Sequence, residues 1–304
     1  MSIEEFKSEL LKSFNEKCKI SNIPAKMTIM PVWKVNTHED KIVITMIGKD
    51  GATPMISLHD VYQDYCRNKC DLDKTVLAVL DTYIYYCNNE DYQNLSKRDI
   101  IDYKLYEDLV KTPGHLLPVL INTKTNKEFL AGLVYKPWLD LSIIYKLTID
   151  NNKNTSMSLY LTKALVKHFS LTEDEIQKIA YHNLEKVTAL ACTDKLPSKY
   201  NDKKDNIMIA ITTNVEDFGA SAILDQNVLQ YLAKEYGDMY FVPASTDIFY
   251  AVKTDMTTKE DLLDDVYEIN QTIPPTERLS TNAYLFHASG LRIELIRSPH
   301  KDLL

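Results

Sequence analysis

The sequence predicts an α+β fold, with short mixed or antiparallel sheets covered by helices, and three observations carry that prediction. Residues 207 to 252 pack two apolar runs, a helix and a third apolar run into one β-α-β-β unit. Two capping boxes, Ser2 with Glu5 and Thr172 with Glu175, mark helix starts far from that unit, because each hydroxyl and each carboxylate satisfies an orphan helix donor. A closing pair of apolar runs around Gly290 reads as a hairpin.

In chain order, a helix runs from the Ser2 box to about Cys18. Lys26 to Lys34 and Lys41 to Ile47 alternate or run apolar and pair as strands. Asp50-Gly51 is a turn signal between apolar segments, and it makes the Gly48/Gly51 pair a hairpin or loop rather than a phosphate cradle. Leu58 to Lys69 and Leu72 to Cys87 are helices, the second with Val76, Leu77, Leu80, Tyr83 and Ile84 at helical spacing. After the polar stretch Asn88 to Lys97, Asp99 to Val110 forms a helix that ends near Pro113-Gly114.

Leu116 to Ile121 is expected as a strand, Thr125 to Leu133 as a short helix, and Leu139 to Leu147 as a second strand after Pro137. Ser158 to His168 reads as helical, and the Thr172 box opens another helix. Thr193 to Asn206 is the most polar stretch, a linker or a long surface loop. It divides the chain into an N-terminal α+β region, 1–195, and a C-terminal β-α-β-β region, 206–304, either as two lobes or within one integrated domain.

In that last region Ile207 to Thr212 is a β-branched strand and Asn227 to Tyr236 a helix stopped by Gly237. Met239 to Val242 and Ile248 to Val252 are strands around Pro243-Ala-Ser245. A helix from Lys259 to Asn270, the turn Pro274-Pro275 and strands Ala283 to Phe286 and Leu291 to Ile296 complete the chain.

At 304 residues the chain buries a core without metal or disulfide staples. Its 35 basic against 43 acidic residues give a net charge of −8, which repels a phosphate backbone. Nucleic acid is therefore not an expected partner. No run approaches the ~18 apolar residues of a membrane span, and Met1-Ser-Ile-Glu-Glu-Phe lacks a signal-peptide pattern. The expectation is a soluble cytoplasmic protein with no membrane partner. Five scattered cysteines, Cys18, Cys66, Cys70, Cys87 and Cys192, fit reduced thiols.

With seven glycines and no Walker A, GxGxxG or GxSxG pattern, the common nucleotide and hydrolase signatures are absent, and no cofactor is expected. Short stretches in a fixed order carry a resemblance: Ile56 to Tyr83, Leu120-Ile-Asn122 with Asn126, Leu139-Asp-Leu141, Ala180 to Asn183, Thr213-Asn214 with Gly219-Ala220, Tyr240 to Ser245, and Val266 to Leu279. In these the chain resembles an uncharacterised family of roughly three-hundred-residue proteins from gut Clostridia, known only as a domain of unknown function. The resemblance implies a bacterial protein and assigns no activity, cofactor or catalytic residue. That family follows its Pro-x-Ser with a His-Glu-like pair, where this chain has Thr246-Asp247.

Three constellations have chemistry to offer. Ser245 and Asp247 sit at a turn between strands, where they either project into a cleft as nucleophile and acid or bond their own turn backbone. The nucleophile reading needs a histidine, and His287, His182 and His168 are the candidates. Asp140 lies in an apolar stretch as either a cleft acid or a solvent-facing strand residue on the face opposite Leu139, Leu141 and Ile143. Cys66 and Cys70 lie one helical turn apart with His59 in line, but His59 and Cys70 are about 16 Å apart along the axis, too far for one ion. Asn122, Asn183, Asn214 and Asn270 end apolar elements as structural caps. The tyrosines either fill core edges or line a recognition surface.

Two functions follow as expectations. The first is an intracellular binding or regulatory protein, without catalytic activity, that recognises a protein or peptide. The second is a hydrolase-like enzyme with its site near the Pro243-Ser245-Asp247 turn.

Overall fold

The structure is a computed structural model that describes residues 1–46, 55–68, 71–89, 102–152, 155–193, 208–215 and 217–300. The chain divides into two compact units, Met1–Asp102 and Tyr103–Leu304.

In the first unit α1 (Ile3–Ile20) starts at the Ser2 box: Glu5 N–H donates to Ser2 Oγ at 3.3 Å, and Ser2 N–H donates to the Glu5 carboxylate at 2.8 Å. Phe6, Leu10, Phe14 and Cys18 recur every four residues and bury one stripe. That stripe covers an antiparallel sheet of β1 (Ala25–Lys34), β2 (Thr37–Met46) and β3 (Met55–Ser57), in that order. Helices α2 (Leu58–Arg67) and α3 (Leu72–Asn88) complete the core with Leu58, Tyr65, Val76, Val79 and Tyr83. The Gly48/Gly51 turn lies outside the described residues.

The second unit opens with α4 (Tyr103–Lys111) and builds two sheets. In the smaller sheet the long strand β6 (Leu141–Asn152) is flanked by β4 (Leu116–Asn122) on one edge. On the other edge lie β5 (Tyr135–Trp138) and β7 (Thr155–Tyr160). Short helices α5 (Lys127–Leu130) and α6 (Lys163–Val166) connect these strands, and α7 (Glu173–Val187) follows from the Thr172 box. The larger sheet runs β13-β12-β10-β11-β9-β8. It comprises β8 (Thr188–Thr193), β9 (Met208–Thr213), β10 (Met239–Ser245), β11 (Ile248–Lys253), β12 (Ala283–His287) and β13 (Arg292–Ile296). Between β9 and β10 come a buried 3-10 turn, Gly219–Leu224, and α8 (Gln226–Tyr236). All strand pairings among the described residues are antiparallel.

One core draws on both sheets through Leu120, Ile143, Tyr145, Ile211, Phe241 and Phe249, with the 3-10 turn in it. Helix α9 (Lys259–Thr272) covers the other face of β10 and β12 through Leu262, Leu263 and Val266. The α+β class therefore stands, and its sheets are antiparallel throughout the described chain.

Two expected elements differ. Ser158 to His168 is strand up to Tyr160 and helix only at Lys163–Val166. Its sequence alternates Ser156, Ser158, Tyr160 against Met157, Leu159, Leu161, a period of two that pairing with β6 realises. The strand expected over Leu139 to Leu147 starts at Leu141 and runs on to Asn152, while Leu139, at φ +55, and Asp140 form the tight turn that joins it to the unexpected strand β5. Leucine gives no turn signal there, since glycine is the usual occupant. The expected junction at 195–206 falls between β8 and β9, which pair over Thr188 to Thr193 in one sheet.

Candidate functional site

Ser245 and Asp247 end β10 and enter the turn to β11. The Asp247 N–H donates to Ser245 Oγ at 3.1 Å, and the Asp247 carboxylate accepts from Phe218 N–H at 2.8 Å. The Asp247 carbonyl accepts from Thr212 Oγ1 at 2.8 Å, and Thr246 N–H donates to the Glu277 carbonyl at 2.8 Å. Both side chains thus hold the turn and the 3-10 segment beside it. No histidine completes a nucleophilic pair there among the described residues. Asp238, opposite His287 at the other end of β10, is seven residues, roughly 20 Å, from Ser245. His182 is exposed and faces Glu185 at 3.7 Å, and His168 stacks on Tyr103 at 3.9 Å.

Asp140 sits in the β5–β6 turn, not on a strand face. Its carboxylate accepts from Ser280 Oγ at 2.6 Å, Asn282 Nδ2 at 2.8 Å and the Tyr284 hydroxyl at 2.8 Å. Burial, and then the nearby Asp140 charge, hold the Tyr284 phenol well above its usual range, so it remains a donor. Ser142, which alternation would put on the same face as Asp140, is fully buried, and its Oγ lies 2.9 Å from Thr123 Oγ1. The alternation misleads because β6 is covered on both faces. Asp140 is a structural anchor that ties the smaller sheet to β12 across its outer end.

Cys66 is exposed on α2, and His59 Nε2 lies 2.8 Å from Gln63 Nε2. Cys70 lies outside the described residues. Among the described residues no three His, Cys, Asp or Glu side chains gather to hold a metal ion. No helix among the described residues is long and apolar enough to cross a membrane.

Elsewhere in the second unit a cavity of about 450 Å³ opens beside β4. That volume falls within the range of small-ligand pockets. It is lined by His115 and its neighbours Pro113 and Gly114, by Leu117, Pro118 and Val119 of β4, by Lys146 and Thr148 of β6, and by Thr213, Asn214, Val215, Asp217 and Phe218, with Leu184 and Ser221. The outer edge of β4 is blunted along this cavity. Asn183 Nδ2 donates to the Leu116 carbonyl at 3.0 Å, Leu120 N–H donates to Ser221 Oγ at 3.1 Å, and Pro118 between them has no N–H.

The cavity lining mixes polar and apolar side chains, and several of its polar groups are tied into defined contacts. Lys146 Nζ lies 2.9 Å from the Asp217 carboxylate and 5.5 Å from the Phe218 ring centre. The lysine side chain is 16% exposed and its aspartate partner 63%, so a shielded cation is held by a carboxylate that water can reach. Tyr160, paired with Lys146 across the strands, has its phenol pushed up to about 12 by burial and then by the Asp217 charge. His115 Nδ1 lies 2.7 Å from the Thr148 carbonyl. A carbonyl only accepts, so Nδ1 is the donor here, and in the neutral imidazole Nε2 is then the acceptor.

None of His115, Lys146, Asp217 or Ser221 is a candidate from sequence alone. His115 lies in the turn before β4 and Lys146 on β6, and Ser221 meets Leu120 from 101 positions away. The available signal was Thr213-Asn214 with Gly219-Ala220, which brackets Asp217 and Phe218.

The family model that matches the chain spans residues 3–288 and describes a family of unknown function, DUF5688; the chain belongs to that family. No curated protein and no solved structure matches it.

Proposed function

We propose that the protein is an intracellular binding protein, without catalytic activity of its own, that holds a protein or peptide partner in the cavity beside β4. The observation that carries this reading is the pairing of a shielded lysine with an exposed aspartate in a cavity that sets polar side chains, His115, Thr148, Thr213, Asn214 and Ser221, among apolar ones. Such a site offers polar groups that can orient a ligand beside apolar side chains that can bury part of it, the two ingredients of a recognition pocket. The hydrogen bonding of Ser245 and Asp247 to backbone, with no histidine beside them among the described residues, supports binding over hydrolysis.

The test is affinity capture from a lysate of the source organism with the intact chain and with Val215→Trp, which fills the cavity mouth from a position 37% exposed. A stoichiometric partner held by the intact chain and lost by the variant is the expected result. A partner held equally by both removes the cavity from recognition.

A further inference from the structure

Resting on that binding reading, we infer that the cavity recognises the free C-terminus of a peptide: a carboxylate at Lys146, the amide N–H of the last residue at His115 Nε2, and an apolar side chain between the walls. Three observations converge on this chemistry. Lys146 supplies one formal positive charge, matching a monoanion, and its present partner Asp217 is an exposed carboxylate that a ligand carboxylate can replace. His115, with Nδ1 committed to the Thr148 carbonyl, presents an acceptor and so calls for a ligand N–H. Leu117, Val119, Leu184, Val215 and Phe218 supply the apolar walls.

The spacing suits a single residue of ligand. Lys146 and Thr148 lie two apart on β6, about 7 Å along the strand, and His115, whose ring bonds the Thr148 backbone carbonyl, precedes β4, the strand that pairs with β6. A dianionic phosphate fits less well, because one lysine balances half its charge and the nearest carboxylate repels the rest.

The experiment is calorimetric titration of the full chain with N-acetyl-leucine, which carries the carboxylate, the N–H and the apolar side chain, and with N-acetyl-leucinamide, which lacks only the charge. The acid binds, and the amide binds at least ~10-fold more weakly, the worth of a charge-assisted hydrogen bond. Lys146→Gln loses affinity for the acid by a similar factor. Asp217→Asn, at an exposed position that folding tolerates, binds the acid roughly two- to fivefold more tightly, because a surface ion pair no longer competes. Equal binding of acid and amide, no binding of the acid up to millimolar concentration, or an Asp217→Asn affinity that is unchanged or weaker overturns the inference. Loss of a captured partner in Val215→Trp together with no acid binding leaves the binding reading standing and removes the C-terminal carboxylate from it.

Discussion

A Cβ added at Gly219 would lie 2.2 Å from Thr212 Oγ1 and 2.4 Å from the Asp247 carbonyl, closer than any real side chain approaches. The 3-10 turn is pressed against the β10–β11 turn there, and Phe218, in the left-handed region at φ +60, donates its N–H to Asp247. Gly219→Ala therefore destabilises the fold by about 3 kcal/mol, the upper range for overpacking, read from urea unfolding midpoints. Ser245→Ala removes one acceptor for a turn N–H and costs about 1 kcal/mol, while capture of a partner by the cavity is unchanged. Loss of partner, or loss of an esterase activity measured on the intact chain, would return Ser245 to a functional role. A Ser and Asp flanking one residue after a proline already suggest a self-bonded turn, because short polar side chains bond backbone two residues on. What residue types cannot tell is that the neighbour of this turn is Gly219, twenty-six positions earlier in the chain.

Helix α4 packs into the second unit's core through Val110 and is tied further by one carboxylate. Glu107 accepts hydrogen bonds from Lys111 and from the Ser170 hydroxyl, and from Ser170 N–H at 3.1 Å, tying α4 to the segment before α7. These bonds, the lysine first, lower its carboxyl from an ordinary 4.5 to about 2. A depressed carboxyl stabilises the fold fully above its unfolded value, and the effect fades as pH falls from 4.5 through about 2. Melting temperatures of the protein and of Glu107→Gln from pH 7 to pH 2 should keep a constant gap down to about 4.5, with the gap closing below. A gap that does not narrow below 4.5 refutes the linkage. Helices such as α1 and α7 were legible because capping boxes and four-residue stripes are local signals. The β5–β6 turn was not, since Leu139 adopts a positive φ where three donors from Ser280, Asn282 and Tyr284 hold Asp140 from a distant segment.

The polar stretch around residue 200 was the natural place to divide the chain on composition, yet strands on either side of it pair in one sheet. Composition reports where a chain is solvated, whereas a unit is defined by where its contacts close. The N-terminal unit closes its own core around Phe6, Phe14, Ile42, Ile44 and Leu58, while that of the second unit combines both its sheets with α7, α8 and the 3-10 turn. Each core draws its residues from one unit alone. A fragment of residues 1–102 should therefore unfold cooperatively in denaturant, as should one of residues 103–304. Fragment 206–304 should not, and fragment 1–195 should show no cooperative transition beyond that of 1–102, because that cut separates β8 from β9 and leaves Ile209 and Ile211 without the sheet and helix that bury them. Near-ultraviolet circular dichroism and denaturant titration of the four fragments decide it. A cooperative transition in 206–304 alone would mean that the β-α-β-β unit is self-sufficient. The cavity beside β4, which draws its walls from both sides of residue 200, would then be an interface between folding units rather than a pocket built into one.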